Sequence, residues 1–117
     1  YKNEGGKFTP SPLPYQVQLS PMYAIIVHDF NGDGRKDILM AGNYSYAETE
    51  TGEMDAGIGT LLLQQSNGTF AYALNREHGF WASGEVRDLK LLQTQRGQTA
   101  VITANNRGPL NVHLINH

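Results

Sequence analysis

Three observations predict an all-β fold. Seven short apolar runs are separated by turn residues, no window of about 12 residues carries a helical period, and the 13 glycines are spread through the chain. The runs are 23–28 (YAIIVH), 38–42 (ILMAG), 60–65 (TLLLQQ), 69–74 (TFAYAL), 86–92 (VRDLKLL), 99–104 (TAVITA) and 110–115 (LNVHLI). Each is five to seven residues long, the length of a strand, and several are rich in Val, Ile, Leu and aromatics.

The punctuation between the runs sets the connections. Asn67-Gly68 lies between the third and fourth runs and predicts a tight hairpin with a type I′ turn. Pro10, Pro12, Pro14 and Pro21 make residues 10–21 an extended connector, with Tyr15 to Leu19 as a candidate edge strand. Residues 44–58, rich in Glu, Thr, Gly and Ala, read as a long exposed loop. Residues 75–85 form a second connector around Gly79 and Gly84.

The runs also recur. Phe8 after Gly5-Gly6-Lys7 matches Phe70 after Asn67-Gly68-Thr69, at an offset of 62 residues. Gly34 with Ile38-Leu39 matches Gly97 with Val101-Ile102, and Ala41-Gly42-Asn43 matches Ala104-Asn105-Asn106, both at 63. Two copies of one unit of about four strands account for the chain. The expected architecture is two four-stranded antiparallel propeller-like blades, a partial β-propeller, because two blades do not close a ring. Residues 1–21 are then the tail of a preceding blade plus a Pro-rich connector, 22–75 one blade, and 76–117 a degenerate second blade. With two blades the sheet edges stay open, and the strand near Lys7 to Pro10 is a candidate to pair with 110–115 or with a neighbouring molecule.

Bulk properties narrow the function classes. The formal charge is 9 − 11 = −2, which lacks the basic excess of a nucleic-acid binder. No apolar run approaches the roughly 18 residues of a membrane span. The absence of cysteine removes disulfides and thiolate metal sites. The chain starts at Tyr1 within polar sequence and is expected to be an excised or processed piece, so the missing signal peptide is no evidence for the cytoplasm.

The chemistry concentrates in residues 29–37, DFNGDGRKD. Asp29, Asn31, Asp33 and Asp37 stand at loop positions 1, 3, 5 and 9, and Arg35 at position 7 has a backbone carbonyl to offer. Ca²⁺ takes six to eight hard oxygens, and this spacing wraps carboxylate and amide oxygens around one point. Gly32 and Gly34 allow the sharp turns required. An EF-hand would need a bidentate Glu at position 12 followed by a helix, but position 12 is Met40 inside an apolar run. The loop therefore joins two antiparallel strands, about 22–29 and 37–43. In the second copy Leu92, Thr94, Arg96 and Ala100 replace the four side-chain ligands, so a single structural Ca²⁺ site is expected.

This loop followed by an apolar strand resembles the FG-GAP/VCBS repeats, the bladed repeats also found in integrin α-subunit propellers. The matching residues are Asp29–Asp37, the strand Ile38 to Asn43, and the phrases Asn3-Glu4-Gly5-Gly6-Lys7-Phe8 and Asn67-Gly68-Thr69-Phe70, which resemble the family's N-x-G-x-F blade ending. The resemblance is strong in 22–43 and weak in 86–117. It implies a Ca²⁺-stabilised propeller and an extracytoplasmic setting, whether secreted, periplasmic or cell-surface. It also implies that the chain is the C-terminal part of a larger bacterial protein, with other blades of that parent and a protein or glycan as partners. The implied role is a non-enzymatic scaffold or interaction module. The alternative is a carbohydrate-binding or non-catalytic part of a polysaccharide-degrading enzyme.

Other residues weigh less. His28 beside Asp29 is not a catalytic pair, since strand neighbours point to opposite faces. Glu48, Glu50, Glu53 and Asp55 form an acidic run that could hold a second cation, although such runs are usually solvated. Phe80-Trp81 reads first as packing and second as a sugar-stacking platform. Asn43-Tyr44-Ser45 and Asn67-Gly68-Thr69 are formal glycosylation sequons.

Overall fold

The computed structural model describes residues 1–43 and 57–115. They form three antiparallel sheets and no closed barrel. The first is the small hairpin β1 (Lys2–Asn3) and β2 (Phe8–Thr9). The second is a four-stranded meander of β3 (Met22–His28), β4 (Asp37–Gly42), β5 (Thr60–Gln64) and β6 (Phe70–Ala73). After the one-turn helix α1 (Asn75–His78) comes a three-stranded meander of β7 (Val86–Gln93), β8 (Thr99–Asn105) and β9 (Leu110–Leu114). Each apolar run of the sequence thus becomes one strand, within one or two residues at either end.

The ladders of the two meanders correspond pair by pair. Ala24↔Ala41, Ile25↔Met40 and Val27↔Ile38 in β3–β4 match Asp88↔Ala104, Leu89↔Thr103 and Leu91↔Val101 in β7–β8. The offsets are 64 along the first strand and 63 along the second. Each hairpin also carries its irregularity at the same place, between Met22 and Ala24 and between Val86 and Asp88. An extra residue here strengthens the local twist where the strand enters the sheet.

The core lies between the two larger sheets. Ala24, Leu39, Ala41, Leu61 and Ala73 face Val86, Leu89 and Val101, with Phe80 and Ala82 of the intervening connector wedged among them. Period-2 alternation explains the choice of face: Ala24, Ile26, Leu39 and Leu61 point inward, while Tyr23, Ile25 and Val27 point outward and stay exposed. β3 packs on β7, and Arg87 of β7 stacks 4.2 Å over the Tyr23 ring while donating to the Asn43 carbonyl at 3.0 Å.

Four expectations need correction. Tyr15 to Leu19 is no edge strand: Tyr15–Gln18 is a 3-10 turn, because the Val17 N–H and the Leu19 N–H find carbonyls three residues back, on Pro14 and Gln16. The Asn67-Gly68 turn is not type I′. Only Gly68 (φ 83°) is left-handed; Gln65 N–H bonds Thr69 O, and the Asn67 side chain accepts from Thr69, which holds Asn67 in the ordinary region. The loop is thus a type I turn closed by a left-handed glycine, and Thr94–Gln98 repeats it with Gly97. The C-terminal sheet has three strands rather than four among the described residues, and Phe8–Thr9 pairs with β1 rather than with β9. Much of the expected loop 44–58, including its acidic run, lies outside the described residues.

The connector after β6 contains a titratable group. His78, buried at the end of α1, accepts the Phe80 N–H on Nδ1 at 3.2 Å, which requires a neutral ring. Burial depresses its pKa, opposed by the Ala73 carbonyl and by Glu77; burial also depresses that of His113, which meets Phe80 edge-on. The unfolded chain takes up protons near pH 6.5 while the folded one resists, so stability is full at neutral pH and falls as pH drops through that value. Melting temperatures measured from pH 7.5 to 5.5 should therefore decline, and His78→Asn, which keeps an acceptor but cannot titrate, should flatten the slope. An unchanged slope would show that His78 is not a source of the dependence.

Candidate metal loop

The loop begins where β3 ends. Asp29 turns its carboxylate back over the backbone: Oδ1 accepts the N–H of Gly32 at 2.7 Å and of Asp33 at 3.1 Å, and Oδ2 accepts that of Gly34 at 2.8 Å. Gly32 (φ 78°) and Gly34 (φ 84°) occupy the left-handed region that lets successive amides point at one carboxylate. Hydrogen bonds from Gly34, and then from Gly32 and Asp33, hold the Asp29 carboxyl below its usual range despite some desolvation, with His28 adding a little. It is fully ionised at neutral pH.

Asn31 and Asp33 continue the web. Asn31 Oδ1 accepts the Asp33 N–H at 3.1 Å, and its amide donates to Asp33 Oδ2 at 2.9 Å. Asp33 Oδ1 takes the Arg35 N–H at 2.9 Å, while its other oxygen pairs with the Arg35 guanidinium. Asp29, Asn31 and Asp33 are therefore brought together at the surface, with Asp29 and Asn31 both accepting the Asp33 N–H.

Asp37 behaves differently. It is fully buried at the first position of β4, opposite His28 in the ladder. Its Oδ2 accepts the Phe30 N–H and its Oδ1 the Gln64 N–H, both at 2.9 Å. The carboxylate fastens the loop to the end of β5, which sequence reasoning did not anticipate. Gln64 itself was also missed: its carbonyl accepts Arg35 Nε at 2.8 Å and its side-chain oxygen accepts the Lys36 N–H at 3.3 Å. A glutamine at the end of an apolar run carries no signal of that role. Arg35, expected to offer its carbonyl, contributes its guanidinium as a strut between Asp33 and Gln64.

The donor chemistry suits a hard cation: three carboxylates and an amide oxygen on one short, glycine-jointed loop. As folded, those oxygens face backbone amides and Arg35. Among the described residues, no three acidic or histidine side chains converge in the manner of a metal cage.

The remaining candidates are spread across the surface. His28 is half-buried and meets Phe30 edge-on at 5.3 Å. Phe80 is core, whereas Trp81 is 53% exposed beside a groove of about 180 Å³ lined by Tyr72, Leu74 and Arg76. Asn43 is buried, so its sequon is closed in the folded chain, while Asn67 is exposed. A cavity of about 330 Å³ lies between the N-terminal segment and the outer face of β4–β6, lined by Tyr1, Lys2, Leu13, Ile38, Gln64 and Phe70 among others. No helix among the described residues is long and apolar enough to cross a membrane. No family model, curated protein or solved structure matches the chain.

Proposed function

We propose that the chain is a non-enzymatic, calcium-binding module of propeller-like blades, serving as a scaffold or interaction domain of an extracytoplasmic protein of the FG-GAP/VCBS type. The observation that carries this reading is the loop Asp29–Asp37. It places Asp29, Asn31 and Asp33 at the surface on a backbone already turned by two left-handed glycines, directly before strand β4. The pairwise correspondence of the two meanders, down to a shared irregularity, supports the bladed reading. On this proposal Asp29, Asn31, Asp33, the Arg35 carbonyl and Asp37 supply the oxygens, and the ion fixes the hairpin and the neighbouring loops. Other blades of a larger parent and a protein or glycan are the proposed partners.

The test is a thermal melt of the intact chain. A ligand present at a hundredfold above its Kd adds about 2.7 kcal/mol, which raises the midpoint of a domain this size by roughly ten degrees. The midpoint should climb between chelator and millimolar Ca²⁺. Asp33→Asn should abolish the climb, with little change in chelator. A midpoint indifferent to Ca²⁺ would reject the metal.

Exposed Trp81 beside Tyr72 and Arg76 favours a second reading, a carbohydrate-binding surface in a polysaccharide-degrading enzyme. A glycan array separates the two: binding that Trp81→Ala removes supports a sugar platform, and a blank array leaves the scaffold.

A further inference from the structure

Trp81, the single tryptophan of the chain, is turned outward between two buried neighbours. Phe80 and Ala82 lie in the core, and their backbone is tied down on both sides of the indole. The Phe80 carbonyl accepts the Asn75 amide at 2.8 Å, and the Ala82 N–H donates to the Ile58 carbonyl at 2.8 Å. Asn75 also donates to the Gly59 carbonyl at 3.0 Å. The Phe80 ring lies so close to Gly59 that a Cβ there would stand 2.5 Å from it. The indole is therefore presented on a fixed backbone, and a ligand that lands on it has little left to order.

The same groove carries a cation without a counter-charge. Arg76 lies exposed on its wall, and among the described residues no ion pair or hydrogen bond engages its guanidinium. Arg35 and Arg87, by contrast, are paired with Asp33 and Glu85. Glu77, the next residue in sequence, lines a separate groove with Phe30 and Leu63. The Tyr72 hydroxyl donates to Asn75 Oδ1 at 2.8 Å, which leaves its oxygen lone pairs to accept from an outside donor.

We propose that the groove of Tyr72, Arg76 and Trp81 binds an anionic sugar residue of a polysaccharide, its ring on the indole and its acid group on the guanidinium. The proposal deepens the carbohydrate reading of Trp81 and rests on it. One face of a pyranose is a patch of C–H groups, whose partial positive charge suits the negative face of an indole. A guanidinium takes a carboxylate or a sulfate through two parallel hydrogen bonds. The size of the groove favours one residue of a longer chain over an enclosed small molecule. It holds about 180 Å³, below the roughly 300 Å³ of pockets that surround a drug-sized ligand. Its walls Leu74 and Trp81, 40% and 53% exposed, are open, so that adjoining sugars can run on into solvent.

The test exploits the single tryptophan, since indole emission reports Trp81 alone. The probes are trigalacturonate, trimannuronate and a sulfated carrageenan oligosaccharide, each beside its methyl-esterified or desulfated form. Chelator is present throughout, so that no cation bridges sugar to protein. At least one acidic probe should shift the emission saturably and bind about tenfold tighter than its neutral form, as a charge-assisted contact provides. Which probe does so tells a uronate from a sulfated sugar. Arg76→Gln should bring the acidic and neutral forms to the same weak affinity, and Arg76→Lys should restore part of the gap. Far-UV circular dichroism verifies that both variants keep the fold. An acid and its neutral form that bind alike would leave a sugar platform standing and overturn the anionic preference. A preference that survives in Arg76→Gln also overturns the proposal. Emission unchanged by every probe removes the carbohydrate reading together with it.

Discussion

Replacing Asp37 with alanine is expected to cost about 2–5 kcal/mol, because two buried amide donors lose their acceptor at once. Those donors are the N–H of Phe30 and the N–H of Gln64, each 2.9 Å from a different oxygen of one fully buried carboxylate. Removing the side chain leaves both facing a void, and also leaves Phe30 and the end of β5 without their common anchor. Asp37→Asn separates the parts. Its single amide oxygen can accept one N–H, while its NH₂ confronts the other, so an intermediate loss is expected. Urea denaturation in chelator, which removes any metal contribution, measures both variants. An alanine variant within about 0.5 kcal/mol of the parent, the range of an ordinary surface change, would show that Asp37 does not anchor the loop.

The second large effect is expected at Asn43. This residue is buried, left-handed (φ 83°) and not a glycine. Its Nδ2 donates to the carbonyls of Gly57 at 2.7 Å and Ser83 at 3.0 Å, and its Oδ1 accepts the Gly57 N–H at 3.0 Å. Its own N–H reaches Pro21 and its own carbonyl takes Arg87. The neighbourhood leaves no slack, since a Cβ on Gly42 would stand 1.7 Å from the Pro21 oxygen. Asn43→Ala strands the partners of the amide and keeps the Cβ in left-handed backbone, a conformation costing roughly 1–2 kcal/mol, without the local side-chain bonding that lets Asn tolerate it. The total loss should reach about 3–4 kcal/mol. Asn43→Gly relieves the strain alone and should recover about 1 kcal/mol of it. Equal losses in the two variants would assign the whole effect to the hydrogen bonds.

The strands were legible because each is a local event. A run such as Ile38 to Gly42 is apolar, short and bracketed by turn residues, and pairing with its sequence neighbour requires nothing more. The loop was legible in composition for the same reason, since Asp29, Asn31 and Asp33 act on residues within five positions. The anchoring role of Asp37 left no such local trace, because its partner Gln64 lies 27 residues away. Asn43 was likewise read as a strand end and a sequon, although its amide joins the connector after β6 to the loop before β5. The helix α1 is one turn long, too short for any period to register, and Asn75 holds it by donating to Gly59 and Phe80. The Asn67-Gly68 turn failed for a subtler reason: the dipeptide permits two left-handed residues, but a side-chain bond from Thr69 needs only one.

The neighbour-only order of the strands also bears on how the chain folds in time. Every strand of the described residues pairs with one adjacent in sequence, so each ladder forms by closing a local loop. Pairing between sequence neighbours keeps the loop-closure cost of each ladder small. It also allows folding from the N-terminus during synthesis. The sheet β3–β6 has all its hydrogen-bonding partners once residue 73 has emerged from a ribosome. Its inner face begins to be covered when Phe80, Ala82 and Val86 follow, and stays partly wet until Leu89 and Val101 of the C-terminal sheet have joined them. The interval of vulnerability to misassociation therefore lasts until β8 has been made.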